Sequence, residues 1–299
     1  MSIIKYLRKE VIYWIQRLAI KIDPRIEMAR CYHGVFGCWP NFQNPKSLIA
    51  KIYWLQLKTD TSQWSLCADK YKVRDYLLEK NLGKYLNTLY GVWNSVDEID
   101  FESLPPKCIL KVSSACGQNI IYDRDKIYEL EDIRKRLQWW LRHPFGASGG
   151  ELHYLNSKSK IIAEKILPLP SNETSLMDYK IWCFSGRPFC ILVVSNRDGK
   201  TYNLSLYDLN WKPMFCYLKN TKHAIIDAQK NIPRPASLNE MLQLAGTLSE
   251  GFPEVRVDLY EIDMKPVFGE MTFSTGFGYF TDEFYRLLGD KVVLNSCHK

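Results

Sequence analysis

Two acidic residues near the C-terminal end of the sequence stand inside apolar, strand-like segments. Asp258 lies in R-V-D-L-Y (256–260), and Glu270 lies in F-G-E-M-T-F (268–273). A carboxylate buried among apolar residues costs free energy unless a cation compensates it. Hard divalent ions prefer oxygen ligands, and Mg2+ typically takes one or two carboxylates together with substrate phosphates. The pair therefore predicts a magnesium site; the alternative is that both acids are solvated on the polar face of an ordinary sheet.

The register of this hairpin decides whether the two acids meet. A loop centred on Met264 pairs Asp258 with Glu270, whereas a two-residue turn at Asp263 and Met264 would send the acids to opposite faces. Methionine is unfavourable at the positive φ that the tight turn requires, so the sequence favours the longer loop. Arg256, two residues before Asp258, suits the charge that develops on a transferred phosphate.

A second candidate is Lys111, which lies in the apolar segment C-I-L-K-V and is followed by S-S-A-C-G-Q. A lysine in an apolar strand usually needs an anionic partner. The small residues after it offer backbone N–H groups that can surround phosphate oxygens. The segment is not a Walker A motif, and an edge-strand lysine that reaches solvent explains it equally well.

A third candidate is the passage from I-I-A-E-K-I-L-P (161–168) into D-Y-K-I-W (178–182). A strand, a short hinge and another strand with charged residues could form a slot for a nucleotide base. A plain surface loop is the alternative.

Periodicity predicts the elements that must position these residues. Ser237 and Glu240 predict a capping box at the start of a helix that Gly251 closes. Helices mixed with hairpins indicate an α+β fold. The other predicted elements are helices over 46–57, 70–80, 129–142 and 281–288, a hairpin of 108–112 with 119–123, a strand at 161–166, an antiparallel meander over 178–207 and a final hairpin over 255–273.

The N-terminal segment predicts an amphipathic helix. Its apolar residues recur every three or four positions, at Ile4, Leu7, Val11, Ile15, Leu18 and Ile22. Either this face packs on its own domain, or a basic amphipathic helix contacts a membrane surface. Of the net charge of +7, residues 1–30 contribute seven Lys or Arg against three acids, which is +4. The remainder is close to neutral, which excludes a global nucleic-acid-binding surface.

The cysteines and the N-terminus predict a soluble, cytoplasmic protein. The nine cysteines form no C-x-x-C pair, and most lie in apolar runs, as expected of reduced, buried thiols. Charges at Lys5, Arg8 and Lys9 stand where the apolar part of a signal peptide would begin. The longest apolar run near the start, V-I-Y-W-I, is too short to span a bilayer.

The order of the segments resembles the TupA-like ATP-grasp family of polysaccharide biosynthesis over residues 40–290. The resemblance rests on N-P-K-S-L, A-D-K-Y-K-V-R-D-Y, I-L-K-V-S-S-A-C-G-Q-N-I-I, I-I-A-E-K-I-L, D-Y-K-I-W-C-F-S-G-R-P, F-P-E-V-R-V-D-L-Y and F-G-E-M-T-F-S-T-G-F-G. It implies an α+β ATP-grasp fold, in which two α+β subdomains grip ATP after an N-terminal helical segment. The implied ranges are 1–65 for the basic helical segment, 66–165 for the part with the lid loop and 166–299 for the part with the metal site.

The resemblance also implies a chemistry, in which ATP phosphorylates a carboxylate and an amine then displaces the phosphate. By position, the implied catalytic residues are Lys111 and Arg256. The implied ATP-binding residues are Lys111, Ser113, Ser114 and Gly117 for the phosphates and lid, Glu164 and Leu167 for the adenine hinge, and Asp178 with Lys180 for the ribose. The implied Mg2+ ligands are Asp258, Glu270 and Thr272.

The sequence departs from the family pattern in two places. Position 272 is Thr where many ATP-grasp ligases have Asn, and the lid S-S-A-C-G-Q-N has fewer glycines than its relatives and no histidine. The implied substrate is a hexuronic acid or another acidic chain of a cell-surface polysaccharide, joined to an amine. A catalytically degenerate nucleotide-binding protein and a sugar-transfer protein are the alternatives. The sequence does not fix the oligomeric state.

Overall fold

Residues 3–170, 174–226 and 232–294 are described by the structure, which is a computed structural model; the side chains of 3–6 and of 127–128 are outside the description. The chain divides into two units, each assembled from three stretches. Unit 1 is Met1–Pro40, Asp60–Val73 and Thr88–Ile166, and unit 2 is Asn41–Thr59, Arg74–Asn87 and Leu167–Lys299. The three-part division implied by the resemblance stays a prediction.

The helices and strands follow the predicted order. The α-helices of the described residues are α1 Ile3–Ile22, α2 Pro24–Phe36, α3 Leu48–Lys58, α4 Ser62–Cys67, α5 Val73–Glu79, α6 Leu130–Arg142, α7 Leu152–Leu155, α8 Leu238–Leu248 and α9 Asp282–Lys291. The strands are β1 Leu89–Trp93, β2 Lys107–Val112, β3 Asn119–Asp123, β4 Ile161–Glu164, β5 Asp178–Phe184, β6 Arg187–Ser195, β7 Tyr202–Tyr207, β8 Ala224–Ile226, β9 Val255–Ile262 and β10 Lys265–Thr272.

Unit 1 contains a four-stranded sheet in the order β1-β4-β2-β3, with antiparallel neighbours throughout. The predicted hairpin of β2 and β3 is confirmed. Alternation along β2 buries Cys108, Leu110 and Val112 on one face. Leu110 and Cys108 join a core with Leu137 of α6, so this helix covers one face of the sheet and fixes the strand that carries Lys111.

Unit 2 contains a six-stranded sheet in the order β10-β9-β5-β6-β7-β8. The predicted meander of β5, β6 and β7 is confirmed, and β8 pairs in parallel with β7. Every residue of β5 is buried, because this strand lies between β6 and β9 near the centre of the sheet. Charged residues of β5 and β9 are therefore held at fixed positions inside the unit.

The β9–β10 hairpin corrects the predicted loop but keeps the predicted pairing. Ile262 pairs with Lys265, so the turn is the two-residue one, with φ of 51° at Asp263 and 60° at Met264. The register then shifts between Phe268 and Glu270, and beyond this bulge Glu270 pairs with Asp258. The extra residue of the bulge cancels the one-residue offset of the tight turn.

The predicted capping box at α8 is wrong. Ser237 is the N-cap, but its side chain makes no capping hydrogen bond. Its backbone N–H and its hydroxyl both donate to Glu261 Oε1, at 2.7 and 2.6 Å. Glu240 instead accepts from Tyr85 at 2.7 Å. The prediction that Gly251 ends this helix is also wrong, because the helix ends at Leu248 and its C-cap is Ser249.

The predicted N-terminal helix is confirmed as α1, but its apolar face does not pack on the domain. Leu7, Val11, Ile15, Leu18 and Ile22 are all exposed, while Ile4 lies outside the described side chains. The half-buried residues that face unit 1 lie on the other side of the helix. Among the described residues, no helix combines the length and the apolar character needed to cross a bilayer. The described cysteines, which exclude Cys297, are free thiols as predicted, but the predicted burial is only partly correct. Cys67, Cys108, Cys183 and Cys190 are buried, whereas Cys31 is half-buried and Cys38, Cys116 and Cys216 are exposed.

Candidate functional site

A buried arginine and aspartate of β9 form the centre of the candidate site in unit 2. Arg256 Nε and Nη2 donate to Asp258 Oδ1 and Oδ2, each at 2.7 Å. The two residues share a face because they are two apart on a strand. Arg256 also donates to Thr272 Oγ1 at 3.1 Å and to Thr275 Oγ1 at 2.6 Å. These bonds fix the plane of the guanidinium, which stays protonated because an arginine does not lose its proton in proteins.

Lys180 of β5 adds a second buried cation. It lies directly opposite Asp258 in the β5–β9 pairing, and its ammonium contacts Asp258 Oδ2 and, at 2.7 Å, Asp178 Oδ2. Burial acts against the charged ammonium, but the charges of Asp178 and Asp258 outweigh it and raise the pKa of Lys180. The lysine is therefore held as a cation between two carboxylates.

Asp178 has one satisfied and one unsatisfied oxygen. Its Oδ2 receives Lys180 and, at 3.0 Å, Arg197 Nη2. Its Oδ1 is buried and has no hydrogen-bond partner among the described residues. Burial raises the pKa of Asp178, although Lys180 and Arg197 lower it. A buried acceptor without a donor is uncommon in folded proteins and marks a place where a ligand donor could bind.

Negative charge is concentrated around Tyr260. The pKa of its hydroxyl is raised well above the usual value, first by the charge of Asp178, then by burial, and then by the charges of Glu270 and Asp258. Three carboxylates from β5, β9 and β10 thus act on the hydroxyl of one half-buried tyrosine. The resulting negative potential attracts cations, and the positive charges of Lys180 and Arg256 neutralise part of it.

The predicted magnesium ligands come together on one hairpin. Glu270 pairs with Asp258, and Thr272 pairs with Arg256. Among the described residues there is no group of three or more His, Cys, Asp or Glu side chains arranged to hold a metal ion. Asp258 and Glu270 nevertheless fit Mg2+ in donor chemistry, because this ion accepts two carboxylates when substrate phosphates and waters complete its shell. Thr272 serves Arg256 as an acceptor, and its assignment as a metal ligand stays a prediction.

In unit 1, Lys111, which is predicted to contact the phosphates, forms an ion pair with Glu164, which is predicted to lie at the adenine hinge. Lys111 Nζ lies 2.7 Å from Glu164 Oε2, between the neighbouring strands β2 and β4. The lysine side chain keeps 22 % of its surface exposed, while that of Glu164 keeps 9 %. Lys111 is therefore a tethered cation rather than a mobile edge lysine.

The loop after Lys111 is anchored by its first residue. Ser113 is fully buried, and its hydroxyl donates to Asp69 Oδ2 at 2.8 Å and accepts from the Lys160 N–H at 3.0 Å. Asp69 also accepts from the hydroxyl of Ser157 at 3.2 Å. In this state the hydroxyl of Ser113 serves the protein itself, and its proposed contact to phosphate stays a prediction.

Farther along the loop the chain is more open. Ser114 is still buried, whereas Gly117 has a φ of 68° and nothing within 4 Å of the position where a Cβ would be. The predicted hinge residue Leu167 is half-buried, and the chain passes from unit 1 to unit 2 between residues 166 and 167. The assignment of Glu164 and Leu167 to a nucleotide base stays a prediction.

Four residues of these clusters have no role that the sequence alone predicts: Asp69, Arg197, Tyr260 and Thr275. Tyr260 follows from the alternation along β9, which places it on the face of Asp258. Asp69 and Arg197 reach their partners across long sequence separations, for which one sequence gives no pattern.

Comparison with known proteins gives one family match. The family model described as TupA-like ATPgrasp matches residues 50–293, which is more than half of the chain. No curated protein matches the chain.

Several solved structures are similar to the chain at low identity. D-alanine–D-alanine ligase from Bacillus anthracis, in complex with ATP, is 15% identical with a TM-score of 0.47, over 79% of this chain and 67% of that one. The ATP-grasp ligase PsnB, in complex with a minimal precursor, is 12% identical with a TM-score of 0.42, over 79% and 61%. A RimK domain ATP-grasp protein from Sphaerobacter thermophilus is 10% identical with a TM-score of 0.41, over 77% and 69%. This chain thus spans less than two thirds of the PsnB chain.

Proposed function

This chain belongs to the TupA-like ATP-grasp family, and from that premise we propose that it joins a carboxylate to an amine at the expense of ATP. Membership makes it an ATP-dependent ligase of the ATP-grasp class. The bond formed, the metal, the substrates and the cytoplasmic location belong to the proposal.

The observation that carries the proposal is the pairing of Asp258 with Glu270 beside the buried cations Arg256 and Lys180. Asp258 and Glu270 would hold Mg2+, which supplies neutralisation of phosphate charge when it is bound. Arg256 is locked by its fork to Asp258, so it can stabilise a developing anion without reorganising.

The proposed reaction has two steps. A carboxylate oxygen of the substrate attacks the γ-phosphorus of ATP, the bond to the β-phosphate oxygen breaks, and ADP leaves. The amine nitrogen then attacks the acyl carbon, phosphate departs with the electrons of the C–O bond, and the nitrogen loses a proton. Arg256 and Lys180 offer fixed positive charge for the phosphoryl group. The role of Lys111 as a phosphate contact follows the family resemblance and is part of the proposal.

The nucleotide contacts are proposed from the same residues. A ribose hydroxyl donating to Asp178 Oδ1 would satisfy the buried acceptor that lacks a partner among the described residues. Ser113, Ser114 and Gly117 are proposed to cover the phosphates, with Glu164 and Leu167 at the base.

The proposed substrate is a hexuronic acid or another acidic chain used in capsule or cell-surface polysaccharide assembly, joined to an amine. This step follows the family resemblance. One observation favours a second candidate, a nucleotide-binding protein without turnover: both oxygens of Asp258 already face cations.

The test measures ADP and phosphate release with Mg-ATP and a panel of uronic acids and amines. We expect release that requires both an acid and an amine. Glu270→Gln should lower turnover by about 100-fold, because a neutral amide removes a charge from the metal set. Its melting temperature should be unchanged. Glu250→Gln, an exposed acid of the same unit, is the matched control and should keep full activity.

If Glu270→Gln keeps wild-type turnover, the metal assignment is wrong. If no pair of substrates releases ADP while ATP still raises the melting temperature, the non-catalytic candidate is correct instead.

A further inference from the structure

Helix α1 carries an apolar stripe that nothing in unit 1 covers. Its five members lie within a sector of about 80° of the helix circumference. Their exposed fractions are 56% for Leu7, 57% for Val11, 61% for Ile15, 57% for Leu18 and 70% for Ile22. The half-buried residues Tyr13, Gln16 and Ile20 lie on the opposite side. The helix therefore packs on unit 1 through one face and presents a second apolar face outward.

The exposed apolar residues are concentrated in the N-terminal part of the described chain, where the stripe lies. Of the 18 large hydrophobic residues that are exposed among the described residues, ten lie between Leu7 and Trp39. They include Trp14 at the edge of the stripe, and Ile26 and Val35 of α2. The five stripe residues adjoin one another along α1, and contiguous exposed apolar surface marks an interaction site.

The charges beside the stripe indicate what covers it. Arg8 and Lys21 are exposed and flank the stripe on its two sides. The single acid in the sequence of α1, Glu10, is engaged by Trp14 Nε1 at 2.8 Å and by His143 Nε2 at 2.9 Å. The exposed basic residues beside the stripe repel a second copy of the same helix, since like charges oppose each other across the seam of paired helices. They attract an anionic surface.

A groove beside the stripe adds room for an amphiphile. It has a volume of about 530 Å3, and its lining includes Trp14, Leu18, Leu152 and Leu155 together with Arg17 and Lys21. Apolar walls with two cations match an acyl chain that ends in an anionic headgroup.

We propose that α1 binds the surface of an anionic lipid bilayer. The stripe faces the acyl chains, and the flanking cations contact the headgroups. The helix lies along the surface, because no helix among the described residues can cross a bilayer. The contact is independent of the chemistry proposed for the carboxylate cluster.

The experiment is co-sedimentation of the full chain with vesicles of phosphatidylcholine alone and of phosphatidylcholine mixed with phosphatidylglycerol. We expect binding to the mixed vesicles that weakens with added salt. Arg8→Gln and Lys21→Gln should each weaken it about five-fold, the effect of removing one basic residue near such a surface. Ile15→Glu and Leu18→Glu should each weaken it about ten-fold or more, through lost burial.

The matched control is Ile121→Glu, which places the same charge at a 61% exposed isoleucine on β3 of the same unit. It should bind like the wild type, and all variants should melt at the wild-type temperature. The proposal is overturned by absence of binding, by equal binding to both vesicle types, or by equal loss in the control. It is also overturned if light scattering finds a dimer that Ile15→Glu converts to a monomer, because the stripe would then bind a second copy.

Discussion

Glu254 is a buried acid immediately before β9, the strand that carries Arg256 and Asp258. Its side chain is fully buried, and neither of its carboxylate oxygens has a hydrogen-bond partner among the described residues. Burial raises its pKa well above 4.5, although the charge of Arg256 lowers it. The folded protein therefore keeps this carboxyl neutral at pH values where the unfolded chain ionises it.

This residue predicts a pH dependence of stability. The contribution of the neutral carboxyl to folding stability is fully present below pH 4.5, the pKa in the unfolded chain. It is lost as the pH rises toward the higher pKa of the folded protein. Glu254→Gln should match the wild type near pH 4.5 and exceed it by about 1–3 kcal/mol at about pH 8. Urea unfolding at both pH values measures the difference. Glu250→Gln, at an exposed position, should show no such gain; equal gains would contradict the assignment.

Individual site residues could be predicted where type and local spacing sufficed. Asp258, Glu270 and Arg256 share strands whose alternation is visible in the sequence. The partners that fix them could not be predicted in the same way. Lys180 meets Asp258 because β5 pairs with β9, and Ser113 is anchored by Asp69 across 44 positions. Such contacts depend on tertiary pairing, which local patterns do not encode.

At the scale of elements, the pairing predicted for the β9–β10 hairpin is correct, although the turn predicted for it is wrong. Methionine at position 264 favours a longer loop, but Asp263 and Met264 adopt positive φ in a two-residue turn, and a bulge at Gly269 restores the register. A Cβ at Gly269 would lie 2.9 Å from the backbone oxygen of Asp258. The bulge therefore depends on glycine, and the pairing of the two acids depends on the bulge.

Gly269→Ala should consequently lower both stability and activity. We expect a loss of about 1–3 kcal/mol from the steric conflict and a fall in ATP turnover, as Glu270 moves away from Asp258. Met264→Gly is the matched control, because it relieves positive φ at the exposed tip of the same hairpin and should stabilise it by up to about 1 kcal/mol. Chemical unfolding and ADP release measure both variants. Unchanged turnover in Gly269→Ala would show that the bulge is not needed to position the acids.

Other elements were predicted in type but not in partner. The helix at 238–248 was expected, yet Ser237 bonds to Glu261 rather than forming a capping box with Glu240. Helix α1 was expected, yet its more regular apolar stripe faces outward. The family match confirms the α+β class and the ATP-grasp assignment. Both could be predicted from the sequence because the order of many segments carries more information than any one of them.

At the scale of the whole molecule, the two units contain buried ionisable groups with opposite responses to pH. His153 of unit 1 is fully buried, and burial lowers its pKa from 6.5 to about 3. The neutral ring stabilises the fold above pH 6.5, and this contribution is lost as the pH falls toward 3. Glu254 of unit 2 acts in the other direction.

Hydrogen exchange can resolve the two responses. After correction for intrinsic rates, peptides of β2 and β4 should lose protection as the pH falls below 6.5, and His153→Gln should reduce that loss. Peptides of β5 and β9 should lose protection as the pH rises above 4.5, and Glu254→Gln should reduce that loss. A parallel response of both units would contradict the assignment of these two residues.

The division of each unit among three stretches of chain has a consequence for biosynthesis. Unit 1 is complete once residue 166 has left the ribosome, so its sheet can form while the rest is still being translated. The stretches 41–59 and 74–87 emerge early but belong to unit 2. Helix α3 packs against α9, which follows it at a long distance along the chain, so α3 cannot complete its packing until α9 has been translated. During translation the stretch 41–59 therefore exposes apolar residues that unit 2 later buries, and we expect it to bind chaperones until then.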